Sequence, residues 1–197
     1  MKNQSSANRK LNVSFGKRQP QTVRWGLCSY DKIPLLVGVT EEGAVCRVAF
    51  ANGLPPLKVV QDWSKAWKRT AFIRDQKAVA PAAKAILEGN SQPLMMVGTE
   101  FQCDVWKNLL AIPAGTVVSY AELARRSKRP KAVRAAGTAC GANPVAILVP
   151  CHRVIGSNGG LGGFGGGLEV KKKLLKKEGI EKKGMREKGE DNSPLNP

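Results

Sequence analysis

Cys151 and His152 are adjacent, and His152 is the only histidine in this 197-residue chain. A thiol at its ordinary pKa, about 8.5, is mostly protonated at neutral pH. A nearby imidazole can take that proton and stabilise the thiolate. A carboxylate could in turn orient the imidazole, and Glu178 is the candidate. It follows Leu174 by four positions, so on a helix it sits at the edge of a buried stripe, a poor place for a carboxylate without a partner. Neighbours on a strand point to opposite faces. The pair can therefore work as nucleophile and base only if a turn or a bridging water brings the two groups together. The other cysteines are Cys28, Cys46, Cys103 and Cys140, widely spaced and with no CxxC pair. An odd number in that arrangement argues against a disulfide framework and against a Cys-rich zinc site, and free thiols in a reducing compartment are the simplest account.

The elements that must position these residues can be read outward from the pair. Ala146–Val149 is a short apolar run, expected to be a buried strand leading into Pro150-Cys151-His152-Arg153-Val154. A glycine-dense loop, 156–167, follows. It allows close backbone approach to a ligand, but it has neither the strand–GxGxxG–helix order of a dinucleotide site nor the Gly-Lys-Ser/Thr of a P-loop. A last helix, Leu168–Lys177, ends at Gly179. Upstream, Thr99 caps a helix carrying Phe101, Val105 and Leu109, which Pro113 ends. Ser119 caps a helix over Tyr120–Arg126. Pro130 is expected in the first turn of another that runs to about Ala142, closed by Asn143 before Pro144. The polar turn Ser127-Lys128-Arg129 between the two makes a helix-turn-helix, with Arg134 projecting from the early part of its second helix. In the first half, the span from Val23 to Phe50 reads as an antiparallel meander. Helices are expected around Lys58–Trp67 and Ala78–Leu87, with a strand at Leu94–Val97.

Hydrophobic residues make up 42% of the chain, enough to bury a core of one domain or two small ones. No apolar run is long enough to span a bilayer. The basic start, MKNQSSANRK, is followed by no apolar stretch of signal-peptide type, so a cytoplasmic location is the expectation. The net charge of +17 attracts polyanions, nucleic acid above all. Part of it belongs to residues 1–21 and 181–197, whose composition reads as flexible tails. Arg125, Arg126, Lys128, Arg129, Lys131 and Arg134 remain in the middle of the chain.

From Gly98 to Gly179 the chain closely resembles the O6-alkylguanine-DNA alkyltransferases, the methylated-DNA–protein-cysteine methyltransferase family. The match runs through Gly98-Thr99-Glu100-Phe101-Gln102, Val105-Trp106, Ile112-Pro113-Ala114-Gly115, Ser119-Tyr120 and Leu123-Ala124. It continues through Arg134-Ala135-Ala136-Gly137 and Asn143-Pro144 to the signature Pro150-Cys151-His152-Arg153-Val154, then Leu174-Leu175 and Glu178-Gly179. The resemblance implies an α+β protein. A ribonuclease-H-like α/β domain at 22–97 would precede a winged-helix-like, helix-turn-helix domain at 98–180.

It also implies a reaction and a set of roles. The alkyl group of O6-alkylguanine would pass irreversibly to Cys151, with no metal or organic cofactor and no obligate protein partner. His152 would deprotonate Cys151 through a water, Glu178 would hold His152, and Asn143 would tie the preceding turn to the active-site segment. Tyr120 would crowd the backbone phosphate and donate to the guanine ring. Arg134 would fill the gap left by a flipped base, with the helix that carries it in the minor groove of double-stranded DNA. Ser119, Ala135, Gly137 and Arg153 would also meet DNA, and Pro150, Val154, Phe164 and Gly165 would wall the pocket. Phe164 stands where many members carry Tyr, and Gly165 replaces a small polar residue of some members, so a roomier pocket is expected. The four-cysteine zinc module of the adaptive-response regulator is absent, and the N-terminal half has no histidine. Two other readings compete: an alkyltransferase-like protein that binds alkylated bases without reacting, and a plain helix-turn-helix protein with an incidental thiol. The acceptor cysteine counts against the first. The joint spacing of Tyr120, Arg134, Asn143 and Glu178 counts against the second.

Overall fold

The computed structural model describes residues 12–181. The expected meander is present as β2 (Thr22–Tyr30), β3 (Ile33–Val39) and β4 (Val45–Phe50), paired antiparallel. Two-residue turns at Asp31–Lys32, both with positive φ, let β2 and β3 fold back on each other. β6 (Leu94–Val97) runs parallel to β4.

Two strands of this sheet were not expected. β1 (Val13–Gly16) pairs in parallel with β6, inside the segment read as a flexible tail to residue 21. Its Val13 and Phe15 alternate with Ser14 and Gly16 and pack on the core, a period of two too short to stand out in a polar context. The rest of that expected tail, 1–11, and nearly all of the C-terminal one, 182–197, lie outside the described residues. β5 (Ala71–Arg74) is a largely exposed edge strand beside β2. The sheet order is β1-β6-β4-β3-β2-β5. α1 (Pro56–Ala66) lies on the sheet through Val59, Val60 and Trp63, and α2 (Gln76–Leu87) buries Val79, Ala83 and Ile86. The α2 cap is Asp75, which accepts a hydrogen bond from the Ala78 N–H at 2.9 Å.

The second half is helical. α3 (Glu100–Leu110) begins in a capping box: the Thr99 hydroxyl takes the Gln102 N–H at 3.2 Å, and the Gln102 side chain takes the Thr99 N–H at 2.9 Å. A Cβ on Gly98 would lie 2.6 Å from the Trp106 ring, so only glycine lets that indole close over the chain. Trp106 Nε1 donates to the Ala139 carbonyl at 2.9 Å and ties α3 to the helix that carries Ala139. α4 (Tyr120–Arg126) starts at its Ser119 cap, as expected. α5 (Val133–Gly141) starts later than expected. Pro130 lies in the preceding turn, which Ala132 closes by donating to the Arg129 carbonyl at 2.9 Å. α6 (Leu168–Lys177) ends before Gly179, whose φ is +79°.

The strand expected over Ala146–Val149 does not form. Val145 alone bridges to Val48, and the chain then coils, with Ile147 at φ +71° and the Val149 N–H returning to the Val145 carbonyl at 3.0 Å. The physical reason is Asn143. Its side chain accepts the Val145 N–H at 3.0 Å and donates to the Val149 carbonyl at 2.8 Å, meeting backbone groups that a ladder would otherwise satisfy. A single core runs from Leu35, Val37 and Phe50 of the sheet to Trp106, Leu109, Val149 and Leu174 of the second half, so the two halves pack as neighbours. Among the described residues no helix is long and apolar enough to cross a membrane.

Candidate active site

Cys151–Arg153 forms one turn of 3-10 helix at the end of that coil. Three residues per turn send successive side chains about 120° apart. The turn sends the two side chains apart, and no hydrogen bond joins Cys151 Sγ to the His152 ring. Cys151 faces a cavity of about 660 Å³, while His152 turns inward and is only 2% exposed. Val154 and Ile155 then form β8, a short parallel pair with β7 (Val118–Ser119), which holds the turn against the start of α4.

Burial pushes the Cys151 thiol above its usual range. A hydrogen bond from Asn143 Nδ2 to Sγ, at 3.2 Å, and the nearby charge of Lys171 pull the other way without overcoming it. The resting nucleophile is therefore a thiol, and it needs a base. His152 Nε2 lies 2.9 Å from Glu178 Oε1. Burial alone would raise the Glu178 carboxyl, but hydrogen bonds from His152 and Arg153 hold it at about 2. Glu178 is thus ionised at neutral pH, and Nε2 must carry the ring proton that it donates. In the neutral ring the lone pair is then on Nδ1, which is buried and has no hydrogen-bond partner among the described residues.

Arg153, expected on DNA, is instead turned inward. Its Nε donates to Glu178 Oε2 at 2.9 Å, its Nη2 to Glu178 Oε1 at 2.8 Å, and its Nη1 to the Ile112 carbonyl. Three of its five N–H donors are engaged inside the protein and the side chain is only 16% exposed, so it is not an exposed DNA contact. Pro150 and Val154, expected to wall the pocket, are buried beside it and do not line it.

The cavity does bring together Tyr120, Arg134, Gly137, Asn143, Cys151, Phe164 and Gly165. Burial, together with the nearby thiols of Cys140 and Cys151, raises Tyr120 to about 12, so its hydroxyl keeps its proton and can donate. Gly162 has φ +67°, and a Cβ there would come 2.7 Å from the Tyr120 hydroxyl. Gly137 lies under the same ring, and nothing stands within 4 Å of a Cβ on Gly165. Arg134 and Ala135 are exposed on α5, and Ser119 spends its hydroxyl on the cap of α4.

Two parts of the site escaped the sequence reading. One is Val48, Ala49 and Phe50 of β4, which bring the N-terminal half to the cavity, with Phe50 and Phe164 ring centroids 6.3 Å apart. The other is Lys171. It is fully buried, its Nζ donates to the carbonyls of Val154 and Leu161, and burial lowers it to about 8. It hides in the run Lys171-Lys172-Lys173, which reads as solvated. Its spacing of three and four from Leu174 and Leu175 was the available signal that it shares their buried face. Among the described residues no group of three or more His, Cys, Asp or Glu is placed to hold a metal ion.

Residues 100–180 match the family model described as 6-O-methylguanine DNA methyltransferase, DNA binding domain. The inducible methylated-DNA–protein-cysteine methyltransferase of Bacillus subtilis is 39% identical over 162 residues, which cover 78% of this chain and 89% of the relative. The chain belongs to the methylated-DNA–protein-cysteine methyltransferase family. The Methanosarcina mazei member is 40% identical over 149 residues, covering 74% of this chain and 90% of its own. Among solved structures, the Mycobacterium tuberculosis O6-methylguanine methyltransferase superposes with a TM-score of 0.61 at 31% identity, over 80% of this chain and 92% of the other. The same enzyme in complex with DNA gives 0.60 at 31% identity, with the same coverage. The family's mixed α+β architecture therefore extends through both halves of this chain, although the family model itself matches the second half alone.

Proposed function

We propose that this protein reverses O6-alkylation of guanine in double-stranded DNA by moving the alkyl group onto Cys151, once per molecule. The observation that carries this reading is one turn that holds both the His152 ring, bonded to Glu178 with its Nδ1 unpartnered among the described residues, and the Cys151 thiol, held by Asn143 at the wall of an open cavity. The lesion's alkyl carbon lies within the base stack, so the base must leave the helix to meet a thiol at the bottom of a pocket. Arg134, exposed on α5, would fill the space left behind, with α5 in the minor groove and the small residues Ala135 and Gly137 allowing close approach. In this reading the first half is ribonuclease-H-like and the second winged-helix-like.

The chemistry follows from the groups present. No hydrogen bond links Sγ to the imidazole, so the thiol proton crosses a bridging water to His152 Nδ1, and Glu178 stabilises the imidazolium that forms. The thiolate attacks the alkyl carbon. An S–C bond forms, the C–O6 bond breaks, and its electron pair leaves with guanine. The Tyr120 hydroxyl, kept protonated by its surroundings, donates to the guanine ring as that charge develops. The thioether product has no easy return, so no cofactor regenerates the protein. Phe164 and the backbone at Gly165 flank the base. Free thiols favour a reducing compartment, the cytoplasm.

Intact-protein mass spectrometry with a duplex carrying one O6-methylguanine tests the proposal. Wild type gains one methyl mass and saturates at one per molecule, while Cys151→Ala gains none. An unchanged wild-type mass on a duplex that it binds tightly would replace the proposal with recognition without repair.

A further inference from the structure

A second cavity, of about 780 Å³, lies between the β4–α1 side of the sheet and the start of α3. Methyl transfer makes no use of it. Arg47, Trp67, Lys17 and the first residues of α3 line it, with Ala142 and Pro144 behind. Arg47 is only 8% exposed, and its guanidinium carbon stands 3.8 Å from the centroid of the Trp67 ring. Its Nε and Nη2 are buried with no hydrogen-bond partner among the described residues. Burial lowers its pKa to about 10, a large displacement for a guanidinium. Buried cations are ordinarily paired, because an uncompensated one is strongly destabilising. If covering Trp67 were the only task, an apolar side chain would do it without that cost.

The second element is the N-terminus of α3. The capping box serves the N–H groups of Thr99 and Gln102 and leaves those of Glu100 and Phe101 unserved, both residues lining the cavity. An eleven-residue helix presents partial positive charge there. The one carboxylate on the lining, Glu100, is engaged by Lys17 at 2.9 Å. Two cations, Lys17 and Arg47, thus stand against one anion.

We propose that this cavity binds a phosphate-type anion, gripped by the Arg47 guanidinium over Trp67 and by the N-terminus of α3. Nε and Nη2 are the pair of donors that holds two oxygens of one tetrahedral anion side-on. Arg47 lines the cavity, and binding requires its guanidinium to turn these two buried donors toward it. The anion can be a free phosphate or phosphate monoester, or a phosphate of a nucleic-acid backbone.

The experiment is thermal unfolding of the full chain in rising inorganic phosphate, against sodium chloride at matched ionic strength. Wild type is stabilised by phosphate beyond chloride, and the effect follows a single-site binding curve with a dissociation constant on the order of 1 mM. Arg47→Met keeps an apolar stem on Trp67. It loses the phosphate response, melts no lower than wild type without phosphate, and still takes one methyl group on Cys151, which shows that it is folded. Equal stabilisation by chloride and phosphate in wild type overturns the proposal, as does a phosphate response that survives in Arg47→Met. The salt dependence of binding to undamaged duplex separates the two sources of the anion. A slope reduced by about one in Arg47→Met assigns the site to a DNA phosphate, and an unchanged slope assigns it to a free anion.

Discussion

Glu178 Oε1 accepts from His152 Nε2 at 2.9 Å, and the same oxygen is 2.8 Å from Arg153 Nη2, so one carboxylate fixes both residues that follow the nucleophile. Glu178→Gln keeps the shape but removes the charge, leaving the Arg153 guanidinium, 16% exposed, without its counterion. The expected cost is about 2–4 kcal/mol in chemical denaturation at pH 7. Methyl transfer should slow on the order of a hundredfold or more, because the imidazolium loses its support.

The same group sets an acid limit. The folded-state pKa of Glu178, about 2, lies below its ordinary value of 4.5. A depressed carboxylate contributes stability that is fully present above the ordinary value and is lost as pH falls through the folded one. The stability difference between wild type and Glu178→Gln should therefore be flat above about pH 5 and shrink between 4.5 and 2. A difference that stays constant down to pH 2 would show that Glu178 is not held ionised by its partners.

Lys171 shows the opposite limb. Its folded-state pKa of about 8 lies below its ordinary 10.5. Between those values the unfolded chain holds a proton that the folded protein has released, so stability rises with pH across this window. The rise corresponds to roughly 3 kcal/mol at most. In Lys171→Met that rise should be absent, so the difference curve between wild type and variant should show it in full. The variant should also transfer methyl more slowly at pH 7, because the Cys151 thiolate loses a nearby positive charge. Denaturant titrations at pH 7 through 10.5, with single-turnover rates alongside, check both.

What the sequence disclosed and what it withheld divide along a physical line. Local signals were sound where the local chain decides the outcome. The Thr99 and Ser119 caps, the α4 span and the stop at Gly179 all follow from side chains bonding their own neighbourhood. The reading failed where distant groups decide. The apolar run after Pro144 has strand composition, but the Asn143 amide satisfies its backbone and coils it. Arg153 looks like a DNA-facing cation until Glu178, 25 positions away, is brought beside it. Lys171 is concealed by two lysines that follow it, and its burial depends on two carbonyls from other segments. β1 forms only because β6 stands next to it.

Arg134 offers a test of base extrusion that stability cannot confound. It is exposed, so Arg134→Ala should leave stability within about 0.5 kcal/mol of wild type. If its side chain replaces the extruded base, transfer from a duplex should slow roughly tenfold or more, since unstacking costs a few kcal/mol. Reaction with the free alkylated base, which has no stack to leave, should keep its rate. Equal slowing on both substrates would move Arg134 from the DNA to the pocket.

The pocket itself predicts the range of alkyl groups. No atom lies within 4 Å of a Cβ built on Gly165, and its neighbour Phe164 packs toward Phe50 of the N-terminal half. Space beside the base is therefore open where a side chain would otherwise close it. O6-benzylguanine in DNA should react at a rate within about tenfold of O6-methylguanine, since a ring accommodated without strain adds little to the barrier. Gly165→Leu places branched bulk into that space and should slow the benzyl adduct far more than the methyl adduct, with thermal stability nearly unchanged. Competition between the two adducts for limiting protein, read by the mass added to Cys151, gives the ratio directly. A wild-type ratio strongly favouring methyl would mean that the open volume at Gly165 lies away from the path of the alkyl group.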